Sequence, residues 1–314
     1  RVEFEEVSGG EYGRVRGFLA SVTRDAALES LFAATHPTRS GERAHALLIG
    51  PPGSGKTEIM RAIGGLTDSI GISVKGSDFQ TCWMGEAMKS PGRLFSKAVE
   101  RHHKTGKRVH VLIDGSDQGL MEPETEQRSS GTNLVYEFLR LLDGVVDYPG
   151  VTLWGATNHP ERLSTRVMRR FQFVEIVGEL TVKDRAELLR RFCEALPVES
   201  DIDTWEKAAA LIDGAVGDAV RKVAESLWRE RIGAFVRRDR EAAEKIAKTL
   251  VNEKGETTHH GDMNREARRA LAASLREHFS ISEAELLEHV RTVALSPSLR
   301  EPEVERFPAW LSQI

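Results

Sequence analysis

The sequence predicts an α/β domain built on a parallel sheet flanked by helices, followed by a smaller all-helical domain. Two observations carry that expectation. Through residue 178, β-prone apolar runs alternate with amphipathic stretches, the order that builds a parallel sheet covered on both faces. From Thr181 onward the pattern is helical almost throughout, and Thr181-x-x-Asp184 and Ser282-x-x-Glu285 read as capping boxes at helix starts. The expected boundaries are 1–178 and 179–314. A polar excursion near 236–280, rich in charge and poor in large apolar groups, reads as mobile surface.

In chain order, residues 13–34 read as helical and 36–42 as a polar loop holding Pro37 and Gly41. The run Leu47-Leu48-Ile49 is a short strand, and Ile59, Met60 and Ile63 mark one face of the helix after it. A second strand falls near 70–74. Residues 92–103 set Leu94, Phe95, Ala98 and Val99 on one helical face. Val109-His110-Val111-Leu112-Ile113 suits a buried parallel strand. Residues 119–133 then read as polar loop, 134–142 as a helix stopped by Gly144, and 151–155 and 171–177 as further strands.

Between the first strand and its helix stands Gly50-Pro51-Pro52-Gly53-Ser54-Gly55-Lys56-Thr57, which fits the phosphate-binding loop G-x-x-x-x-G-K-[ST]. Glycines let such a loop turn tightly and aim its N–H groups at phosphate oxygens, at the positive end of a helix. Pro52, Gly53, Ser54, Gly55, Lys56, Thr57 and Glu58 are therefore the expected nucleotide contacts. Lys56 would reach the β- and γ-phosphates, and the Thr57 hydroxyl would complete the shell of a Mg²⁺ ion. Asp114 ends the buried strand and is expected to hold the same ion; its other use would be to cap a turn. The expected ligands are ATP and Mg²⁺.

Composition bounds the rest. With 314 residues, 40% apolar and 29% charged, the chain can bury a real core in two domains. A net charge of −4 gives no global positive field for nucleic acid or anionic lipid. No apolar run approaches the ~18 residues of a membrane span. Cys82 and Cys193 lie far apart without C-x-x-C spacing, as expected of a cytoplasmic, reducing compartment. Opening on Arg1 rather than Met predicts a piece of a longer protein. His102-His103 and His259-His260-Gly261-Asp262 lack the partner spacing of a zinc site and read as solvent-exposed.

Several further stretches resemble the AAA+ ATPases, in particular the AAA family that includes protein unfoldases and remodelers. Phe4-Glu5-Glu6-Val7-Ser8-Gly9 resembles the family's F-x-D-V-x-G opening, which implies adenine contacts at Val7 and Ser8. Trp83-Met84-Gly85 is similar to its pore loop, and Ala156-Thr157-Asn158 to its sensor 1. Met168-Arg169-Arg170-Phe171 resembles the segment bearing arginine fingers. Residues 296–310 resemble the C-terminal closing helix of members that disassemble ESCRT polymers or sever microtubules. The resemblance implies a P-loop NTPase fold with a helical lid, ATPase activity, a homo-oligomer (a hexameric ring) and a protein substrate or adaptor.

Each of these positions also has a plainer use. An amide at a strand end beside the γ-phosphate can orient water, yet Asn158 before Pro160 also suits a turn. Arg169 and Arg170 are either a solvated pair or, by the resemblance, fingers on a neighbour's γ-phosphate. The family normally spaces its two fingers by two residues, whereas here they are adjacent, so either could act. Trp83 is a partly buried anchor or, in a ring, a grip on polypeptide. Arg221, in a Gly214-x-x-Gly217-x-x-x-Arg221 spacing, either lies on a helix surface or approaches the phosphates as sensor 2.

One departure matters. The family's Walker B motif ends Asp-Glu, and this chain reads Asp114-Gly115-Ser116-Asp117. The usual general base is missing from its place. Asp117 takes over, or ATP is bound and hydrolysed slowly or not at all, or Gly115 is an introduced change that traps the bound state. The expected function is an ATP-driven remodeler of a protein partner. The alternatives are a hydrolysis-deficient scaffold and a nucleic-acid loader using the cluster Lys104, Lys107 and Arg108, which the overall charge disfavours.

Overall fold

The computed structural model describes residues 15, 45–66, 69–80, 91–117, 131–143, 148–163, 165–178, 180–251, 258 and 263–295. The chain divides after Val177 into two compact units.

In the first unit the strands are β1 (Ala46–Ile49), β2 (Ile70–Lys75), β3 (Val109–Asp114), β4 (Val151–Thr157) and β5 (Phe173–Ile176). They form one sheet in the order β2-β3-β4-β1-β5, and every pairing is parallel. Strands β1 and β4 are buried throughout, β1 as an unbroken apolar run and β4 with Thr152 and Thr157 among its apolar residues. Edge strand β2 alternates between half-buried and exposed residues. The helices are α1 (Lys56–Leu66), α2 (Gly76–Gln80), α3 (Pro91–Thr105), α4 (Gly131–Asp143) and the short α5 (Thr165–Met168). Leu48, Leu112, Trp154 and Ala156 pack with Ile59, Met60 and Ile63 of α1, so the helix behind the glycine loop is bolted to the sheet.

Strand β4 runs two residues past the expected 151–155, and α4 starts inside the stretch expected to be polar loop. The short α2 was not expected. His102 is half-buried rather than exposed: its Nδ1 bonds to the Lys107 carbonyl at 2.9 Å, and its ring lies against Gly150.

The second unit contains α6 (Val182–Phe192), α7 (Ile202–Ala210), α8 (Gly217–Arg238), α9 (Arg240–Thr249), α10 (Arg265–Arg276) and α11 (Glu283–Ala294). Both expected capping boxes are formed, Thr181 with Asp184 and Ser282 with Glu285. Its core gathers Leu189, Trp205, Val220, Leu227, Leu286 and Val290. The expectation of a mobile excursion near 236–280 is corrected for the described residues, while 252–257 and 259–262 lie outside them. That stretch carries α9 and α10, which build a second small core on Phe235 with Leu271, Leu275 and Ile246. Short side chains, alanines above all, let these helices form with few large apolar residues.

Candidate nucleotide site

The loop after β1 is held by close backbone contacts. The Gly50 N–H donates to the Thr157 carbonyl at 3.2 Å, and a Cβ at Gly50 would stand 1.8 Å from the Val177 carbonyl oxygen. Only glycine allows that approach. Gly53 (φ +76°) and Gly55 (φ +99°) take backbone angles that side chains disfavour, and the turn opens directly into α1.

Lys56 is buried, with its ammonium folded back into the loop. Nζ donates to the carbonyls of Gly50 and Pro51, each at 2.7 Å, and to Ser54 Oγ at 3.2 Å. All three ammonium protons are thereby used. Burial pushes its pKa down to about 8, against the opposing pull of Asp114 and Asp117. Thr57 Oγ1 donates to Asp114 Oδ2 at 2.9 Å, joining the first turn of α1 to the end of β3. A hydroxyl and a carboxylate oxygen so placed are the donor types a small hard cation takes, and beside a buried ammonium they fit Mg²⁺ carried by phosphate.

Around the end of β4 the side chains form a chain of hydrogen bonds. Ser116 Oγ donates to the Ile113 carbonyl (2.9 Å) and accepts from the Ala156 N–H (3.1 Å). Thr157 Oγ1 donates to Asp117 Oδ1 (2.7 Å) and accepts from the His159 N–H (2.9 Å). Ser116, Asp117 and Thr157 are all buried, while the Asn158 side chain is exposed. Gly115, in the turn, has φ +68°.

The structure therefore gathers Gly53, Ser54, Gly55, Lys56, Thr57, Asp114, Asp117 and Asn158 at the carboxyl ends of β1, β3 and β4, where open α/β sheets bind ligands. Pro52 is exposed on the loop, and exposed Glu58 accepts from Arg61 at 2.5 Å. Arg169 and Arg170 differ. Arg170 forms an ion pair with Asp143, whereas Arg169 is exposed and makes no side-chain hydrogen bond or ion pair among the described residues. Arg221 belongs to the second unit, exposed on α8 with Asp218 and Glu225 as ion-pair partners. Val7, Ser8, Trp83, Met84, Gly85 and residues 296–310 lie outside the described residues. Thr157 and Ser116 were missed as site residues; their signal was position, one on a strand end and one inside the turn after Asp114.

Among the described residues no group of three or more His, Cys, Asp or Glu side chains could hold a metal ion, and no helix is long and apolar enough to cross a membrane.

The model of the ATPase family associated with various cellular activities (AAA) matches residues 46–179. Cell division protein C of Sulfolobus acidocaldarius is 29% identical over 184 residues, covering 57% of this chain and 48% of that protein. Vacuolar protein sorting-associated protein 4 of Dictyostelium discoideum is 29% identical over 178 residues, 55% of this chain and 38% of that one. The ATP-dependent zinc metalloprotease FtsH of Kosmotoga olearia is 32% identical over 168 residues, 51% of this chain and 25% of that one. The match thus spans less than half the length of each of these relatives. A crystal structure of the FIGL-1 AAA domain in complex with ADP superposes with a TM-score of 0.62 at 20% identity, covering 100% of this chain and 91% of that one, a likeness of fold. Through residues 46–179, this chain is similar to the AAA ATPases.

Proposed function

We propose that this chain is the ATP-binding module of a ring-forming ATPase that remodels or threads a protein partner. The supporting observation is the 2.9 Å hydrogen bond from Thr57 to Asp114 beside the buried Lys56 ammonium. The loop N–H groups of residues 53–57 and Lys56 would bind the phosphates, one phosphate oxygen replacing a loop carbonyl as acceptor for Nζ. Thr57 and Asp114 would hold Mg²⁺, which when bound supplies charge neutralisation at the phosphate oxygens. Asn158, exposed at the end of β4, would orient the attacking water. Val7 and Ser8 would contact adenine, and Arg221 would approach the phosphates from the lid.

Arg169 is the finger in this reading. Arg170 is committed to Asp143 within its own chain, whereas Arg169 is available to a neighbouring copy. ATP binding would then be sensed across a subunit boundary of a hexamer, and Trp83, Met84 and Gly85 would face the central channel. Against the nucleic-acid alternative, Lys104 pairs with Glu100 at 2.5 Å and Arg108 donates to Thr152 at 3.0 Å.

The test is sizing by light scattering with ATP or ADP, together with binding of a fluorescent ATP analogue and a protein-unfolding assay. ATP should bind and drive assembly. Arg169→Ala should bind ATP yet lose hydrolysis, Arg170→Ala should keep both, and Trp83→Ala should lose unfolding alone. A chain that stays monomeric with saturating ATP, or unfolding unchanged in Trp83→Ala, rejects the ring-threading reading.

A further inference from the structure

Along α11, Ala284, Glu285, Glu288 and His289 recur at helical spacing and share one face. That face, with Glu230 and Arg231 of α8, walls a cavity of about 350 Å³, within the size range of small-ligand pockets. His289 is buried, and its Nδ1 lies 2.8 Å from a Glu230 carboxylate oxygen. A carboxylate only accepts, so Nδ1 carries the proton and Nε2 of the neutral ring is an acceptor. Arg231 donates from a terminal nitrogen to Glu285 Oε1 at 2.8 Å, while its Nε stands 3.8 Å from Glu230, beyond hydrogen-bond reach. Among the described residues, His289 Nε2 and Arg231 Nε are both buried without a hydrogen-bond partner.

We propose that this cavity is a docking site for an arginine side chain of a polypeptide partner. Its walls leave one acceptor and one donor unused, and a buried unpaired group costs about 1–3 kcal/mol. Among the described residues they also carry three carboxylates, Glu230, Glu285 and Glu288, against one guanidinium, that of Arg231. Such walls repel an anion, and an apolar guest would leave both orphaned groups unmet. A guanidinium offers N–H groups to His289 Nε2 and to Glu288 at once, in a planar fork. The peptide carbonyl of the same arginine would accept from Arg231 Nε. Glu288 is available for this role: its partner is Arg291, at 3.1 Å, and both are exposed, so the pair is a weak one.

Both helices are anchored in the core of their unit, α8 through Leu227 and α11 through Leu286 and Val290, so the walls are set before a guest arrives. None of the cavity's residues takes part in the nucleotide-site reading, and the two readings fail separately.

Fluorescence anisotropy tests this on the full chain, with a fluorescein-labelled, end-blocked peptide of glycines around one arginine. A second peptide carries citrulline in its place, which keeps the shape and loses the charge. The arginine peptide should bind saturably, and the citrulline peptide at least about tenfold more weakly. Glu288→Gln, at an exposed position, should weaken the arginine peptide about fivefold. Ala284→Leu, also exposed, fills the cavity and should abolish binding. Fluorescent-ATP binding should stay unchanged in both variants. Spermidine, with ammonium groups but no carbonyl, should compete poorly. The proposal is overturned if the arginine peptide does not saturate, or binds no better than the citrulline peptide; waters alone would then fill the cavity. Wild-type affinity in Glu288→Gln or Ala284→Leu overturns it as well. So does displacement by spermidine at lower concentration than by unlabelled peptide, which would mark a site for free polyamines.

Discussion

The two units place their buried polar groups differently. In the α/β unit, Lys56, Asp117, Thr157 and His110 are buried, three of them at the carboxyl edge of the sheet. In the helical unit Thr204, Arg268 and His289 are buried as well as Arg185, but the other polar groups mostly sit at helix ends or in surface ion pairs. Its buried Arg185 extends along the core and delivers its guanidinium to the Leu180 carbonyl (2.6 Å) and to the exposed carboxylate of Asp213 (2.5 Å). Burying polar groups costs stability, so a unit that keeps several of them at one sheet edge is organised around what that edge binds. Apart from the cavity beside His289, the helical unit is organised around its own persistence.

The largest expected effect falls on the loop. Lys56→Ala should weaken ATP binding by about 100-fold or more, through loss of the charge that meets the phosphates. It should not lower the melting temperature much, because the ammonium is held at a burial cost that depresses its pKa to about 8. Fluorescent-nucleotide titration beside a thermal melt checks both halves. A variant that binds normally but unfolds early would mean that Lys56 is structural, and the contrast between the units would dissolve.

Next comes acid. His110 is fully buried on β3; its Nδ1 accepts the Trp154 indole N–H at 3.1 Å, and among the described residues its Nε2 has no hydrogen-bond partner. Burial, with the charge of Arg108 adding to it, pushes its pKa down to about 3. The folded state thus stays neutral there while the unfolded chain takes up a proton below about pH 6.5. Stability contributed by this site is complete above pH 6.5 and falls by about 1.4 kcal/mol per pH unit toward pH 3. His110→Gln keeps an acceptor for Trp154 and cannot titrate, so its acid-unfolding midpoint, read by tryptophan fluorescence, should move to lower pH. An unmoved midpoint would show that another group governs acid unfolding. In the helical unit the comparable loss needs a cavity: Leu286→Ala, at a fully buried position, should cost about 2–5 kcal/mol in denaturant melts, independent of pH between 5 and 8.

The same contrast explains what could be read without the structure. Helix starts at Thr181 and Ser282 were legible because a cap is a local exchange of hydrogen bonds between residues three apart. The glycine loop and Asp114 were legible because their spacing is local and their strands are continuous apolar runs. The union of Thr57 with Asp114, or Asp117 with Thr157, spans 57 and 40 residues and depends on strand order. The sequence motifs placed the first pair in expectation; the second, through Thr157, was missed. The difference between Arg169 and Arg170 was illegible, since it depends on Asp143 at the far end of α4. Helices α9 and α10 were missed for another reason: their apolar stripe is made of alanine and a few isolated large residues, which reads as surface until Phe235 is seen beneath it.

The smallest effect separates a cap from mere surface polarity in the helical unit. Ser282 Oγ accepts the Glu285 N–H at 3.4 Å, while the Glu285 carboxylate accepts from the Ser282 N–H at 2.9 Å and its hydroxyl at 2.8 Å. These bonds hold the Glu285 carboxyl below its ordinary pKa, with Arg231 adding at 2.8 Å. Ser282→Ala removes two of the three capping interactions and should cost about 1 kcal/mol, Ser282→Gly only a few tenths, and Ser282→Asp close to nothing. That ranking, Asp near Ser, then Gly, then Ala, belongs to a helix N-cap and to no general surface effect, so urea melts of the three variants isolate it. If alanine proved the mildest of the three, the helix would be held by Leu286 and Val290 alone, and local hydrogen bonding would not be what distinguishes this unit from the sheet.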